Sequence, residues 1–307
     1  MSRLGHEVRK VFTLDGLNAK ELVKRVARSV YENNCPGQAA QLAYYFLFAL
    51  FPFLLFLTTL LGYLPLPNLR EELEFILAGV LPRETLALVY DNVNSLTQNQ
   101  RGGLLSFGII TALWTSSNAV MAIMDNLNRA YRVKEGRPLW KVWGLALLLV
   151  LGLSVFLLLA LVLLIFGPPI GSWLAQQVGL GNAFELVWNI LRWPVIIMFL
   201  ILAMAIIYYV APDVEQEWKW ITPGSVVAVT SWILTSLGFS YYVTSFGSYT
   251  KVYGSIGTVI VLMTWMFLLG FFILLGGEIN AEIEHAARSG KEPGQKELPS
   301  TSATDRA

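Results

Sequence analysis

Polar side chains inside long apolar runs are the residues of this sequence that could do chemistry. Asp125 and Arg129 lie in MDNLNRAY, and Glu278 lies in LLGGEINAE, each near the same end of its apolar run. Gln41 opens another run at that depth. Such groups must face one another, water or a ligand, because hydrocarbon solvates them poorly. The pattern predicts either a polar gate at one mouth of a helix bundle or a hydrogen-bonded clasp between helices. Asp125 and Arg129, four residues apart, can also simply pair with each other.

Other candidates lie deeper in the same runs. Asn118 follows TSS near the middle of its run, where its serine and threonine neighbours can bond their own helix backbone. Pro52 removes a backbone hydrogen bond and should kink its helix. The full set of residues predicted to form a cavity or gate is Gln41, Tyr44, Pro52, Asn118, Asp125, Asn128, Arg129, Tyr253, Gly254, Glu278 and Asn280.

Two further features allow either packing or function. Pro194 lets a helix begin at Trp193, which leaves Arg192 at the membrane interface, where it either snorkels to water or binds a ligand. Small residues recur every three or four positions in the fifth run, as close helix packing requires, although they could also form a pathway wall. These small residues are Gly224, Ala228, Ser231, Thr235 and Gly238.

Metal and nucleophile chemistry has few residues to work with. The chain has one cysteine, Cys35, and two histidines, His6 and His285, which lie near opposite ends. A metal-dependent hydrolase needs several such ligands together with a base that activates water. A net charge of +1 provides no general field for nucleic acid. We therefore predict no catalytic residues, no metal or other cofactor, no nucleic-acid partner and no enzyme activity.

The elements that must position these residues are membrane helices. Hydrophobic residues make up 55% of the chain and charged residues 14%, against about 45–50% and about 25% in soluble domains. Spanning segments must satisfy their backbone internally, so long apolar runs become helices. The predicted fold class is all-α, a polytopic bundle of six transmembrane helices. The runs are 39–63, 103–124, 142–166, 193–211, 222–246 and 255–280.

The basic residues predict the orientation. Of 22 Lys and Arg residues, 17 lie in the two tails and in the second and fourth loops, and four lie in the other loops. Positive loops stay in the cytoplasm, so both termini are predicted to be cytoplasmic. The N-terminal sequence has no short apolar core followed by a cleavage site, so we expect no cleaved signal peptide.

Three regions flank or interrupt the helices of the predicted membrane domain, 39–284. The N-terminal segment, 1–38, contains a basic amphipathic helix at 18–33, which either lies on anionic lipid headgroups or packs under the bundle. The first outer loop has two apolar stripes and should form short amphipathic helices. The polar tail, 285–307, is predicted to be disordered.

Four segments resemble the BrkB/YihY family of bacterial inner-membrane proteins. They are AAQLAYYFLFALFPFLLF, LWTSSNAVMAIMDNLNRAY, the stretch from PGS to FGSY, and VYGSIGTVIVLMTWMFLLGFFILLGGEINAEIE. The family patterns map to Ala43, Tyr44, Tyr45, Phe51 and Pro52, to Asn128 and Tyr131, to Tyr253, Gly254 and Ser255, and to Gly276, Glu278 and Asn280. The resemblance implies six spans in the inner membrane and an inferred role in transport or export. It also carries an old label, ribonuclease BN, which these residues do not support.

Two functions remain open. A permease or exporter of an amphipathic or lipid-like solute predicts one cavity that opens to the cytoplasm between spans one, two, five and six. Span three, which is apolar all round, should take no part in it. A structural, envelope-organising membrane protein predicts instead that the polar groups pair off and leave no cavity.

Overall fold

The computed structural model describes residues 19–63, 102–178, 181–245, 248–286 and 292–297. Within these ranges every regular element is a helix, so the predicted all-α class is confirmed. The short helices predicted in the first outer loop lie outside the described residues. The helices are α1 (Ala19–Glu32), α2 (Cys35–Tyr63), α3 (Gly102–Ala130), α4 (Leu139–Val178), α5 (Gly181–Val210), α6 (Trp218–Ser245) and α7 (Ser248–Ala286).

Five helices of the described part are long and apolar enough to cross a membrane. They contain the stretches Ser106–Ala130, Leu139–Leu164, Leu186–Val210, Trp218–Tyr241 and Val259–Ala286. Helix α2 covers the remaining predicted run and continues through Pro52 to Tyr63. Most large exposed side chains of these helices are apolar, Leu148, Leu158 and Leu234 among them, as a lipid-facing surface requires.

Several helices extend beyond the predicted runs. Helix α4 continues to Val178 where an end at 166 was predicted, and α7 begins at Ser248 where a start at 255 was predicted. Helix α5 begins at Gly181, not at Trp193, so Arg192 lies inside a helix that continues through Pro194. Helix α7 ends at Ala286, so Glu278 and the residues after it are still helical. Proline is tolerated inside such helices because neighbouring helices and side chains can satisfy the freed backbone groups.

The six longer helices form a ring. Each of α2 to α7 contacts the next helix along the chain, and α7 returns to contact α2. Helix α7 also contacts α3, and α1 packs mainly against α7. The order of the helices around the ring therefore follows the order of the sequence.

Glycines allow α6 and α7 to approach closely. A Cβ added at Gly224 would lie 2.1 Å from the Gly276 carbonyl oxygen, and one at Gly276 would lie 2.3 Å from the Tyr208 hydroxyl. Ala228 packs at the same crossing, where its Cβ lies 2.9 Å from the position of a Cβ at Gly276. Gly238 has open space beside it. Close packing therefore uses the first part of the predicted small-residue stripe.

Candidate functional site

The predicted polar residues gather at one end of the ring. We call it the polar end: residues 29–38, 125–137, 211–217 and 278–286, with the tail segment 292–297 against them. Helix α1 belongs to this end through Val26 and Ser29, which are buried, whereas Val23 of its predicted apolar stripe is 67% exposed. The apolar face of α1 is therefore used mainly for packing under the bundle.

Glu278 holds α1 to α7. Its side chain is buried, with 2% of its surface exposed. The Ser29 hydroxyl and the Asn33 amide each donate a hydrogen bond to its carboxylate at 2.7 Å. The Cys35 thiol donates a third at 3.4 Å. The three donors come from the last turn of α1, the turn after it and the first residue of α2, so this carboxylate acts as a clasp.

Glu278 was predicted to lie near α3 around Asp125 to Arg129 and near Gln41, and the adjacent Gly277 does pack against Leu127 of α3. Asp125, Arg129 and Gln41 themselves make other contacts. Asp125 and Arg129 form an ion pair with each other at 2.8 Å, and both are more than half exposed. Gln41 is exposed and lies 3.4 Å from the Tyr45 hydroxyl. Asn126, which was not among the candidates, lies 3.4 Å from Gln38 and so joins α3 to α2.

Asn280 joins α7 to α6. It is fully buried, and its side-chain oxygen accepts a hydrogen bond from the Gly224 N–H at 2.7 Å. This bond lies next to the glycine crossing, so the close approach of the two helices and the buried amide support each other. Tyr208 adds a second link, because its hydroxyl donates to the Ile273 carbonyl oxygen at 2.6 Å.

Asn128 organises two loops at the polar end. Its side-chain oxygen accepts from the Asp213 N–H at 2.7 Å, and its amide donates to Glu135 at 3.0 Å. Arg137 donates to Glu135 at 2.7 Å and to the Ala211 carbonyl oxygen at 2.8 Å. Of these residues only Asn128 was a predicted site residue. The others are visible in the sequence only as loop charges, with no periodicity to pair them.

The charges of these loops shift one another's protonation. The hydrogen bond from Arg137 is the main cause that lowers the pKa of Glu135 to about 2. Burial works to raise the pKa of Asp213, but hydrogen bonds from Lys296 and the Gly136 N–H outweigh it, so that pKa is lowered. Both carboxylates are therefore held in their charged form.

Part of the C-terminal tail is held in place. Lys296 forms an ion pair with Asp213, and its carbonyl oxygen accepts from the Glu215 N–H at 2.8 Å. The Gly294 N–H donates to the Tyr131 carbonyl oxygen at 3.1 Å. Residues 285 and 286 continue α7. The disorder predicted for 285–307 therefore does not extend to these residues or to 292–297.

A cavity of about 390 Å³ lies in the middle of the ring. All six ring helices contribute to it, for example through Phe46, Ala119, Leu153, Ala203, Trp232 and Phe272. Ser116, Ser154 and Trp232 are the polar side chains among its lining, and the Ser154 hydroxyl is already bonded to the Val150 carbonyl oxygen. The rest of the wall is apolar.

This cavity differs from the predicted one in three ways. Span three, expected to be excluded, lines it through α4 residues including Leu153 and Ser154. None of the predicted cavity or gate residues whose side chains the structure describes lines it. Between it and the polar end lies a layer of fully buried side chains, Met124, Leu127, Tyr208 and Ile221, where an opening was expected. An apolar wall has the same composition as packed core, so no sequence signal distinguished it.

Among the remaining candidates, those whose side chains are described take no part in either arrangement. Tyr44 is 53% exposed on α2. Pro52 and Asn118 are partly exposed within α2 and α3. Tyr253 and Gly254 belong to α7, but their side chains lie outside the described residues. In the described ranges, no group of three or more His, Cys, Asp or Glu side chains is placed to hold a metal ion.

The model of the family called Virulence factor BrkB matches residues 26–300. The chain belongs to the BrkB family. This confirms the resemblance found in the four sequence segments.

Relatives carry membrane and ribonuclease-like names. "Putative ribonuclease-like protein YfkH" of Bacillus subtilis (strain 168) is 41% identical over 245 residues, which cover 80% of this chain and 88% of the relative. A "UPF0761 membrane protein" of Alteromonas mediterranea is 29% identical over 283 residues, 84% of this chain and 88% of the relative. No solved structure matches. This BrkB chain is thus a membrane protein of a family whose members' names differ on activity.

Proposed function

We propose that this BrkB protein moves a lipid-like, amphipathic solute across the bacterial inner membrane and is not an enzyme. The observation that carries the proposal is the partly open cavity of about 390 Å³ that all six ring helices line. Ligand sites commonly measure about 300–1,000 Å³ and are mostly apolar. A bundle built only for structure would close around such a space, because an unfilled cavity lowers stability.

The lining favours an acyl chain over a polar solute. A sugar or ion would lose its hydrogen bonds to water in this cavity and regain few of them from Ser116 and Trp232. An acyl chain loses nothing of this kind and gains contacts with the wall. The solute class we propose is therefore a lipid or a lipid-linked molecule.

The proposed topology has six spans. Helix α2 supplies the sixth, because Cys35–Tyr63 is long enough to cross the bilayer and closes the ring against α7. The imbalance of 17 against four basic residues supports a cytoplasmic polar end. Lys24 and Arg28, exposed on α1, would then face anionic headgroups of the inner leaflet.

A structural role in organising the envelope is the second candidate. It is favoured by the polar end, where Glu278, Asn280 and Asn128 are all engaged in bonds between helices or loops. Such pairing stabilises a bundle without requiring any solute. The two candidates therefore differ in whether the cavity is used.

A lipid-translocation assay separates them. The full-length protein is reconstituted in vesicles of phosphatidylethanolamine and phosphatidylglycerol that carry a trace of headgroup-labelled fluorescent phosphatidylglycerol. Dithionite quenches only the outer leaflet, so translocation appears as loss of the protected fluorescence. Leu153→Trp places an indole in the cavity, whereas Leu151→Trp makes the same change two residues away on an exposed face of α4.

We expect the wild-type protein and Leu151→Trp to deplete the protected fluorescence at similar rates. Leu153→Trp should slow this at least tenfold while it remains folded in the membrane. Rates equal to those of protein-free vesicles, or equal rates for the two variants, would contradict the proposal. The first of these results would favour the structural role.

A further inference from the structure

Arg192 lies across the interface between α4 and α5. A Cβ added at Gly167 of α4 would lie 3.2 Å from Arg192 Cδ and 3.3 Å from its Nη1. The side chain therefore rests against the backbone of the neighbouring helix, in space that a larger residue at 167 would occupy. A snorkelling arginine would instead extend along its own helix into water.

The guanidinium group is not satisfied there. Its Nε and Nη1 atoms are buried and have no hydrogen-bond partner in the described part of the chain. The Gly167 carbonyl oxygen already accepts a hydrogen bond from the Trp188 N–H at 2.6 Å, so this acceptor beside Arg192 is engaged. An arginine cannot shed its proton to relieve the cost of burial, so it needs an anion.

No carboxylate of the described side chains pairs with Arg192. Its one charge-related contact there is with the Trp193 ring, 5.5 Å from the guanidinium carbon. Asn189, one turn earlier on α5, also has a buried amide oxygen without a hydrogen-bond partner. The two unsatisfied groups lie on the same face of α5, as residues three apart do.

The position of Arg192 suits a lipid headgroup. Gly167 lies just beyond Leu164, where the membrane-crossing stretch of α4 ends, and Arg192 lies within the first two turns of the stretch Leu186–Val210 of α5. Trp188 and Trp193 lie at this level, as aromatic residues commonly do at the membrane interface. Val187, Ile190 and Leu191 are exposed beside it, so the site borders lipid. The anion available at this depth is the phosphate of a phospholipid.

We propose that Arg192 binds the phosphate of an anionic phospholipid at the end of the ring opposite the polar end. A guanidinium offers phosphate oxygens a fork of two parallel N–H groups, through Nη2 together with Nε or with Nη1. In Arg192 both Nε and Nη1 are donors that lack acceptors in the described part of the chain. The lipid tails lie along the exposed apolar residues of α5. This site does not depend on whether the central cavity carries a solute.

Lipid-dependent thermal unfolding tests the site. The full-length protein in a neutral maltoside detergent is titrated with phosphatidylglycerol, and the unfolding midpoint is followed by tryptophan fluorescence. Arg192→Gln removes the charge, and Arg192→Lys keeps it without the fork. Arg129→Gln is the matched control, because Arg129 is exposed and paired with Asp125 at the other end. A parallel titration with inorganic phosphate at the same concentrations shows whether a free anion has the same effect as the lipid headgroup.

We expect Arg192→Gln to need about tenfold more phosphatidylglycerol than wild type for the same shift, as loss of a charge-assisted hydrogen bond implies. Arg192→Lys should fall between them, and Arg129→Gln should match wild type. Without lipid, Arg192→Gln should be no less stable than wild type, because it removes an unsatisfied charge. An unchanged lipid dependence in Arg192→Gln, or an equal shift with inorganic phosphate, would overturn the proposal.

Discussion

Replacing Gly276 with alanine tests the close packing of α6 against α7 next to the polar end. The new Cβ would lie 2.3 Å from the Tyr208 hydroxyl and 2.7 Å from the Gly224 carbonyl oxygen. Neither backbone can move freely, because α6 and α7 are also joined by the bond between Asn280 and Gly224. Overpacking of this kind costs about 1–3 kcal/mol. Displacing Tyr208 from the Ile273 carbonyl oxygen costs about 1 kcal/mol more.

We therefore expect Gly276→Ala to lower the free energy of unfolding by about 2–4 kcal/mol. The measurement is reversible unfolding in mixed detergent micelles, followed by circular dichroism. Gly238→Ala is the matched control, because its Cβ would meet no atom within 4 Å. It should be neutral or should stabilise the helix by up to about 1 kcal/mol.

A double-mutant cycle with Tyr208→Phe identifies the clash. Tyr208→Phe removes the hydroxyl that the new Cβ would meet, so Gly276→Ala should cost less in that background than in wild type. Equal costs for Gly276→Ala and Gly238→Ala would refute the close approach of α6 and α7. Equal costs of Gly276→Ala in the two backgrounds would show that Tyr208 is not the atom it meets.

Three other expectations follow from the polar end. Glu278→Ala should lower the free energy of unfolding by roughly 2–4 kcal/mol and should expose Cys35 to maleimide. The control Glu21→Ala removes one member of an exposed ion pair and should cost under about 1 kcal/mol. Unchanged reactivity of the Cys35 thiol in Glu278→Ala would contradict the clasp. Because the pKa of Glu135 is lowered to about 2, its bond to Arg137 stabilises the fold fully at pH values above the ordinary glutamate pKa, and this stabilisation is lost as pH falls toward 2. The thermal unfolding midpoints of wild type and Arg137→Gln should therefore differ at pH 6 and converge in acid. A difference that stays constant with pH would be inconsistent with this. Reporter fusions at Ala307 should be active only in the cytoplasm, and activity on the outer face would reverse the proposed orientation.

The helices were predictable because each long apolar run has one stable structure in lipid. The depth of Glu278, Asn128 and Asn280 followed from the same runs. Their partners did not, because depth does not fix which neighbour a side chain faces. Glu278 was expected near α3 around Asp125 to Arg129 and near Gln41. Gly277, beside it, does pack against Leu127 of α3, but the hydrogen bonds to Glu278 come from Ser29 and Asn33.

Local rules failed where tertiary packing decided the outcome. Pro194 suggested a helix start, but α5 begins earlier because proline is tolerated inside a packed membrane helix. Arg192 therefore lies at the interface between α4 and α5, whereas it was predicted to lie at the edge of a helix. The purely apolar third span was expected only to pack, yet Leu153 and Ser154 line the cavity. A cavity forms where the surfaces of several helices do not fit together, and the sequence of one helix does not show this.

Photo-crosslinking from inside the cavity tests the proposed use of that space most directly. A benzophenone amino acid replaces Phe272, which lines the cavity, in the full-length protein in native membranes. The same replacement at Phe51, which is 66% exposed on α2, shows what contact with bulk lipid yields. Irradiation should give a lipid adduct at both positions, identified by the mass of the intact protein. A lipid adduct at position 51 together with only intramolecular adducts at position 272 would contradict a lipid-binding cavity.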